Sequence, residues 1–255
     1  MKSVIIRNMN LGRGVPKICV PLVNTDREGL LRDAASLQRL NADMAEWRAD
    51  WYGGILEPGS LASLLSPLRR ALGEIPLLFT FRTFREGGNL EASPSSYLSL
   101  LREAICSGYT DAVDVELFSG KDTVKELVSL AHERQVKVIL SNHDFDSTPC
   151  REELVKRLRS MEEMGADIAK IAVMPGNAED VLTLLSATVE ADKLLSCPVV
   201  TMSMRGMGLI SRLSGEIFGS CLTFGSAGKA SAPGQICAGE LREILEIIHR
   251  NQPLS

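Results

Sequence analysis

Residues 165–176 read Gly165-Ala166-Asp167-Ile168-Ala169-Lys170-Ile171-Ala172-Val173-Met174-Pro175-Gly176. The apolar run at 168–173, bounded by Gly165 on one side and Pro175-Gly176 on the other, reads as a buried strand. Its single charge, Lys170, is of a residue type rarely buried without a partner. Desolvation disfavours an ammonium there and favours the neutral amine. A neutral amine is a nucleophile, and its natural target is a carbonyl carbon, which yields a Schiff base. The bland alternative packs the lysine stem into the wall and lets the head reach solvent at the strand end.

The same rhythm recurs along the chain. Short apolar runs fall at 17–22, 43–47, 77–81, 111–116, 136–141, 168–173, 198–202 and 220–224. Amphipathic segments begin near Thr25, Pro58, Ser93, Gly120, Pro149, Asn177, Gly206 and Ala238. Ser93-Pro94 and Thr148-Pro149 each place a proline at a first helical position. Strand–helix alternation implies parallel strands joined by crossover helices. Eight such units in 255 residues match a (β/α)8 TIM barrel forming one domain over 1–255. The rival, a doubly wound sheet, wants a glycine-rich turn after its first strand. Here that turn is Val23-Asn24-Thr25-Asp26, without glycine. The segment Val4 to Arg7 is expected to pair across Gly12-Arg13-Gly14 with the strand that follows, as a β-hairpin closing the barrel bottom.

Composition narrows the function classes. A net charge of −4 gives no basic footprint for nucleic acid. The N-terminus lacks the apolar core of a signal peptide, and no run is long enough to span a membrane. A cytoplasmic protein is expected, with its six cysteines (Cys19, Cys106, Cys150, Cys197, Cys221 and Cys237) reduced. None of them is spaced as a metal-ligand pair, and there are only three histidines, so no metal and no cofactor is expected. His132 and His249 lie in helical patterns. His143 alone follows an apolar strand.

In a (β/α)8 barrel the active site lies at the C-terminal strand ends. Polar residues collect there: Glu46 and Arg48 on the second run, Arg82 with Glu86-Gly87-Gly88 on the third, Asp114 and Glu116 on the fourth, Asn142-His143 on the fifth, Lys170 on the sixth. Period-two alternation sets Glu46 and Arg48 on one side of their strand. Arginines at a barrel mouth suit a small anion, because a guanidinium grips a carboxylate with two hydrogen bonds. Alternatively, these charges only neutralise one another. His143 is the natural acid–base group, and Glu86 can orient it as a carboxylate does in a catalytic triad. The small-residue stretch 226–235 reads as a lid.

Six segments in order, AEWRAD at 45–50, PLLFTFRTFREGG at 76–88, DVELF at 114–118, VILSNHDF at 138–145, GADIAKIAVMP at 165–175 and ASAPGQ at 230–235, resemble type I 3-dehydroquinate dehydratase over nearly the whole chain. The resemblance implies a hydro-lyase that converts 3-dehydroquinate to 3-dehydroshikimate through an imine, in the shikimate pathway to chorismate and the aromatic amino acids. It implies a homodimer. By motif, Lys170 is the imine-forming lysine, His143 the acid–base group and Glu86 its loop carboxylate. Glu46, Arg48 and Arg82 contact substrate, Arg212 of the I-S-R-L motif clamps its carboxylate, and Ser231 and Gln235 come from the lid. Pro21 stands where some members carry a substrate-contacting serine. A class I aldolase on the same barrel is the alternative enzyme. It would want a phosphate-binding turn, for which Gly225-Ser226-Ala227-Gly228 is a weak match. A barrel that merely binds a small acid is the non-enzymatic alternative.

Overall fold

The computed structural model describes residues 2–12, 14–227 and 236–252. Strands β1 (Val4–Ile6) and β2 (Met9–Leu11) form an antiparallel hairpin. The barrel strands are β3 (Lys17–Leu22), β4 (Met44–Arg48), β5 (Leu77–Thr80), β6 (Ala112–Glu116), β7 (Lys137–Asp144), β8 (Ile168–Val173), β9 (Val199–Ser203) and β10 (Leu222–Phe224). They pair in parallel in the order β10-β3-β4-β5-β6-β7-β8-β9. Closure runs through the Cys221 N–H, which donates to the Val199 carbonyl at 3.0 Å, and the Thr201 N–H, which donates to the Ser220 hydroxyl at 3.1 Å. Helices α1 (Arg27–Ser36), α2 (Ser60–Leu72), α3 (Pro94–Cys106), α4 (Lys121–Glu133), α5 (Arg151–Glu163), α6 (Ala178–Leu194), α7 (Leu209–Leu213), α8 (Gly215–Phe218) and α9 (Ala238–Arg250) surround it. The architecture is the (β/α)8 barrel that the alternation implied.

Two details differ from the sequence reading. The hairpin turns at Arg7-Asn8, not at Gly12-Arg13-Gly14, and its second strand is Met9–Leu11, ahead of the first barrel strand. Arg7 adopts φ 52°, so the tight turn forms without glycine. Ser93 does cap α3, accepting from the Ser96 N–H at 3.1 Å with Pro94 at the first position. Pro149, in contrast, precedes the cap of α5, which is Cys150 in an extended conformation. The Thr148 hydroxyl instead donates to the Met174 carbonyl at 2.9 Å, tying this loop to the end of β8.

Period two divides every barrel strand between two environments. On β8, Ala169, Ile171 and Val173 pack outward into the shell shared with the helices, while Ile168 and Ala172 join the barrel interior. Lys170 lies between those two and so points inward. The first inward residues of the strands, Cys19, Met44, Leu78, Ala112, Ile139, Ile168, Val200 and Leu222, make an apolar floor. Ile6, Met9 and Leu11 of the hairpin seal that floor from below, each stabilising the fold by roughly 1.5–3 kcal/mol of apolar burial. The floor leaves only the C-terminal half of the barrel for polar groups.

At the bottom rim a single device repeats three times. Asp43, Asp111 and Asp167 each precede an even-numbered strand and accept the backbone N–H of the strand before it: Ile18 at 2.7 Å, Leu77 at 2.8 Å and Val138 at 2.8 Å. Each also takes a cation, Arg242 at 2.6 Å, Arg69 at 2.7 Å and Lys137 at 2.9 Å respectively. These clasps hold neighbouring strands in register below the floor. No described helix is long and apolar enough to cross a membrane.

Candidate active site

Above the floor the next inward layer carries the charges of Glu46, Asp114 and Lys170. Lys170 is 3 % exposed, so its head does not reach solvent. Its Nζ lies 3.2 Å from Asp114 Oδ2, 3.8 Å from Glu46 Oε1 and 4.7 Å from the centre of the Phe224 ring. Asp114 is held on its other oxygen by Arg82 at 2.7 Å and by the Ser141 hydroxyl at 2.6 Å. Burial works against its charge, but Arg82, Lys170 and Ser141 outweigh that and hold its pKa below the ordinary value. Glu46 accepts from the Thr80 hydroxyl at 3.0 Å.

Arg82 is the hub of the network. It reaches Glu116 at 2.9 Å, Ser141 at 3.1 Å and Glu86 at 3.5 Å besides Asp114. Burial opposes its charge, yet these carboxylates hold its pKa well above the ordinary value. Arg48 grips Asp50 with two bonds of 2.8 Å, and Asp50 also accepts the Arg82 N–H at 3.3 Å and the Asn89 N–H at 3.2 Å. The mutual-neutralisation reading therefore describes Arg82 and Arg48 in part, because carboxylates occupy much of their donor capacity.

The Glu86 loop is built to reach His143. Glu86 follows β5 in a short 3-10 turn (Phe84–Glu86). Gly87 then takes φ 81°, and a Cβ there would fall 2.3 Å from the Phe145 ring. A Cβ on Gly88 would fall 1.9 Å from the Arg82 carbonyl oxygen. Only glycines let the chain fold back so closely, which is the physical content of the E-G-G motif. Glu86 Oε2 accepts the His143 backbone N–H at 2.9 Å and lies 3.0 Å from His143 Nδ1. Burial, reinforced by Glu116, raises the Glu86 carboxyl to about 7 against the pull of Arg82. Burial, then Arg82, Lys170 and Arg48, lowers His143 well below its ordinary value, so the ring is neutral near pH 7.

Arg212 is the odd cation. It is 2 % exposed, and among the described residues its Nε has no hydrogen-bond partner and its NH1 meets only the Met202 sulfur at 3.7 Å. No carboxylate among the described residues pairs with it, and burial pushes its pKa down to about 10. A buried guanidinium without an anion is costly. Its free donors can receive an anion.

Glu46, Arg48, Arg82, Glu86, His143, Lys170 and Arg212 all line one cavity, walled by Phe145, Ala172, Met202, Met204 and Phe224. Its volume is about 180 Å³, below the roughly 300–1,000 Å³ of pockets for drug-sized ligands, so the ligand is small. Seven of the nine site residues expected from sequence thus meet there. Ser231 and Gln235, with most of the expected lid, lie outside the described residues. Sequence reading passed over Asp114 as a site residue, although the alternation in Asp114-Val115-Glu116 sets it inward with Glu116. The apolar wall had no local signal. Among the described residues no group of three or more His, Cys, Asp or Glu side chains is arranged to hold a metal ion.

Fold and site together define a (β/α)8-barrel enzyme acting on a small anionic molecule. Residues 18–252 match the family model of type I 3-dehydroquinase. The chain is 52 % identical over 251 residues to 3-dehydroquinate dehydratase of Bacillus licheniformis, covering 98 % of this chain and 99 % of that one. It is 48 % identical to the Listeria monocytogenes enzyme of the same name over 250 residues, covering 98 % and 99 %. The type I 3-dehydroquinate dehydratase of Clostridium difficile, solved with covalently modified comenic acid, superposes with TM-score 0.96 at 47 % identity, covering 99 % of this chain and 100 % of that one. The chain belongs to the type I 3-dehydroquinase family.

Proposed function

We propose that this barrel, acting as one domain, dehydrates 3-dehydroquinate to 3-dehydroshikimate through an imine on Lys170. The enclosure of Lys170, the His143–Glu86 pair and the unpaired Arg212 in one small cavity carries this reading. Arg212 receives the substrate carboxylate, and Glu46, Arg48 and Arg82 meet its hydroxyls. By the family motif, Ser231 and Gln235 also contact the substrate.

His143 takes a proton from the Lys170 ammonium, the freed amine attacks the C3 ketone, and the carbinolamine hydroxyl leaves as water with that proton. The iminium acidifies the adjacent C2 hydrogen, which His143 removes through Nε2 while Nδ1–H is held by Glu86. The resulting enamine expels the C1 hydroxyl with the proton that His143 returns, from the same face. Hydrolysis then frees Lys170 and the product. Asp114, 3.2 Å from Nζ, faces the cationic iminium. Proton transfer of this kind contributes about a hundred- to ten-thousand-fold to rate. The wider setting is a cytosolic homodimer in the shikimate pathway.

Borohydride reduction with 3-dehydroquinate, followed by peptide mass spectrometry, tests the reading. The reduced adduct is expected on Lys170. An adduct on another lysine, or none, overturns the assignment.

A further inference from the structure

The Glu86–His143 pair is in turn held from outside the cavity. On α5, Arg157 NH1 donates to Asn142 Oδ1 at 2.9 Å, and Asn142 Nδ2 donates to Glu86 Oε1 at 3.2 Å. Arg157 is itself restrained three ways: by Glu153 at 2.9 Å, by Asp144 at 3.4 Å, and by the Phe118 ring, whose centre lies 5.7 Å from its guanidinium carbon.

We infer that Arg157 and Asn142 are positioning residues that hold Glu86 as a carboxylate and so keep His143 in its Nδ1–H form. A guanidinium has donors only, so the amide oxygen of Asn142 must face Arg157. A flipped amide would set donor against donor. The NH2 group is therefore committed to Glu86 Oε1. The His143 backbone N–H, also donor-only, is committed to Oε2. With a donor on each oxygen the charged carboxylate is favoured over the acid, and the shared proton resides on Nδ1. That leaves Nε2 with the lone pair a base requires.

The other charges on the pair are Arg82 of the β5 end, which also donates to Glu86 Oε2 at 3.5 Å, with Asp114 and Glu116 of β6 on Glu86, and Arg82, Lys170 and Arg48 on His143. Of these groups the Asn142 amide can present either a donor or an acceptor to Glu86, and Arg157 fixes it as a donor.

The inference rests on the dehydratase reading for its kinetic test and is independent of it for its spectroscopic one. In Arg157→Ala the amide is free to present its oxygen to Glu86, favouring the protonated acid. The acid limb of kcat is expected to move up by about one pH unit, so kcat falls about tenfold at pH 6 and less than twofold at pH 9. Arg157→Lys restores a donor and brings the limb back. Asn142→Asp sets a carboxylate against Glu86 and moves the limb at least as far. An equal loss at every pH, or an unmoved limb, overturns the proposal. Without substrate, 15N NMR of histidine-labelled protein should show His143 protonated on Nδ1 at pH 8, with proton uptake by the pair at higher pH in Arg157→Ala than in wild type. Nε2 protonation in the wild type, or no change in the variant, also overturns it. If the wild type shows no turnover, the dehydratase reading fails while the NMR result still decides the relay.

Discussion

Lys170 Nζ and Asp114 Oδ2 lie 3.2 Å apart, both enclosed in the barrel, and Arg82 holds the other oxygen of the same carboxylate at 2.7 Å. One buried anion thus serves two cations on opposite sides. Asp114→Asn leaves both without it. Breaking such a buried pair costs about 3–5 kcal/mol, readable as a lower midpoint in urea unfolding. The iminium also loses its nearest carboxylate, so kcat is expected to fall about ten- to a hundredfold. A fully active, fully stable variant would show that Asp114 serves neither cation.

Arg212 is proposed to trade stability for binding. Lowering its pKa from 12.5 to about 10 corresponds to about 3 kcal/mol of unfavourable burial. The sign follows directly: the folded state disfavours the charged form, so removing the charge relieves the fold at neutral pH. Arg212→Met is expected to raise the unfolding midpoint while KM for 3-dehydroquinate rises at least a hundredfold, as a bidentate charged contact is lost. Unchanged KM would remove Arg212 from the binding site.

Activity should depend on Glu86. Its carboxyl, raised by burial to about 7, carries a proton at lower pH and then cannot accept from His143 Nδ1. The kcat profile is expected to rise with pH through about 7 and to flatten above it. His143, neutral across that range because burial lowers it, contributes no limb there. In Glu86→Gln the limb should vanish along with most of the rate. If it persisted, another group would be responsible.

Asp111 is a structural counterpart far from the cavity. It accepts the Leu77 N–H at 2.8 Å and pairs with Arg69 at 2.7 Å and Arg7 at 3.2 Å. Asp111→Ala strands a backbone donor and a half-buried arginine, and a loss of about 2–4 kcal/mol is expected in denaturant unfolding. KM should stay as it is, since the floor separates Asp111 from the site. A matched rise in KM would mean that the two ends of the barrel are coupled.

Some of this molecule follows from local pattern alone. Eight apolar runs separated by amphipathic segments leave few topologies, and strand edges at 17–22 and 168–173 coincide with the observed β3 and β8. Alternation alone puts Glu46 and Arg48 on one side of their strand, because the strand period is a property of the backbone; that this side, and Lys170, face inward is seen only in the closed barrel. The hairpin turn escaped that reading, since Arg7 takes φ 52° without the glycine that usually announces such a turn. The cap at Cys150 escaped it as well, because Cys150 is not a residue type that signals a helix start.

Partnership was decided only in three dimensions. Arg82, Arg48 and Arg212 look alike in sequence, yet two meet carboxylates and the third meets a methionine sulfur. The Arg157–Asn142–Glu86–His143 chain joins a helix, a strand and a loop up to 71 positions apart, counting from Glu86 to Arg157. Hydrophobic periodicity carries no information about such contacts. Charge and hydrogen-bond complementarity depend on distance and direction between side chains, and closing the barrel over its apolar floor sets both.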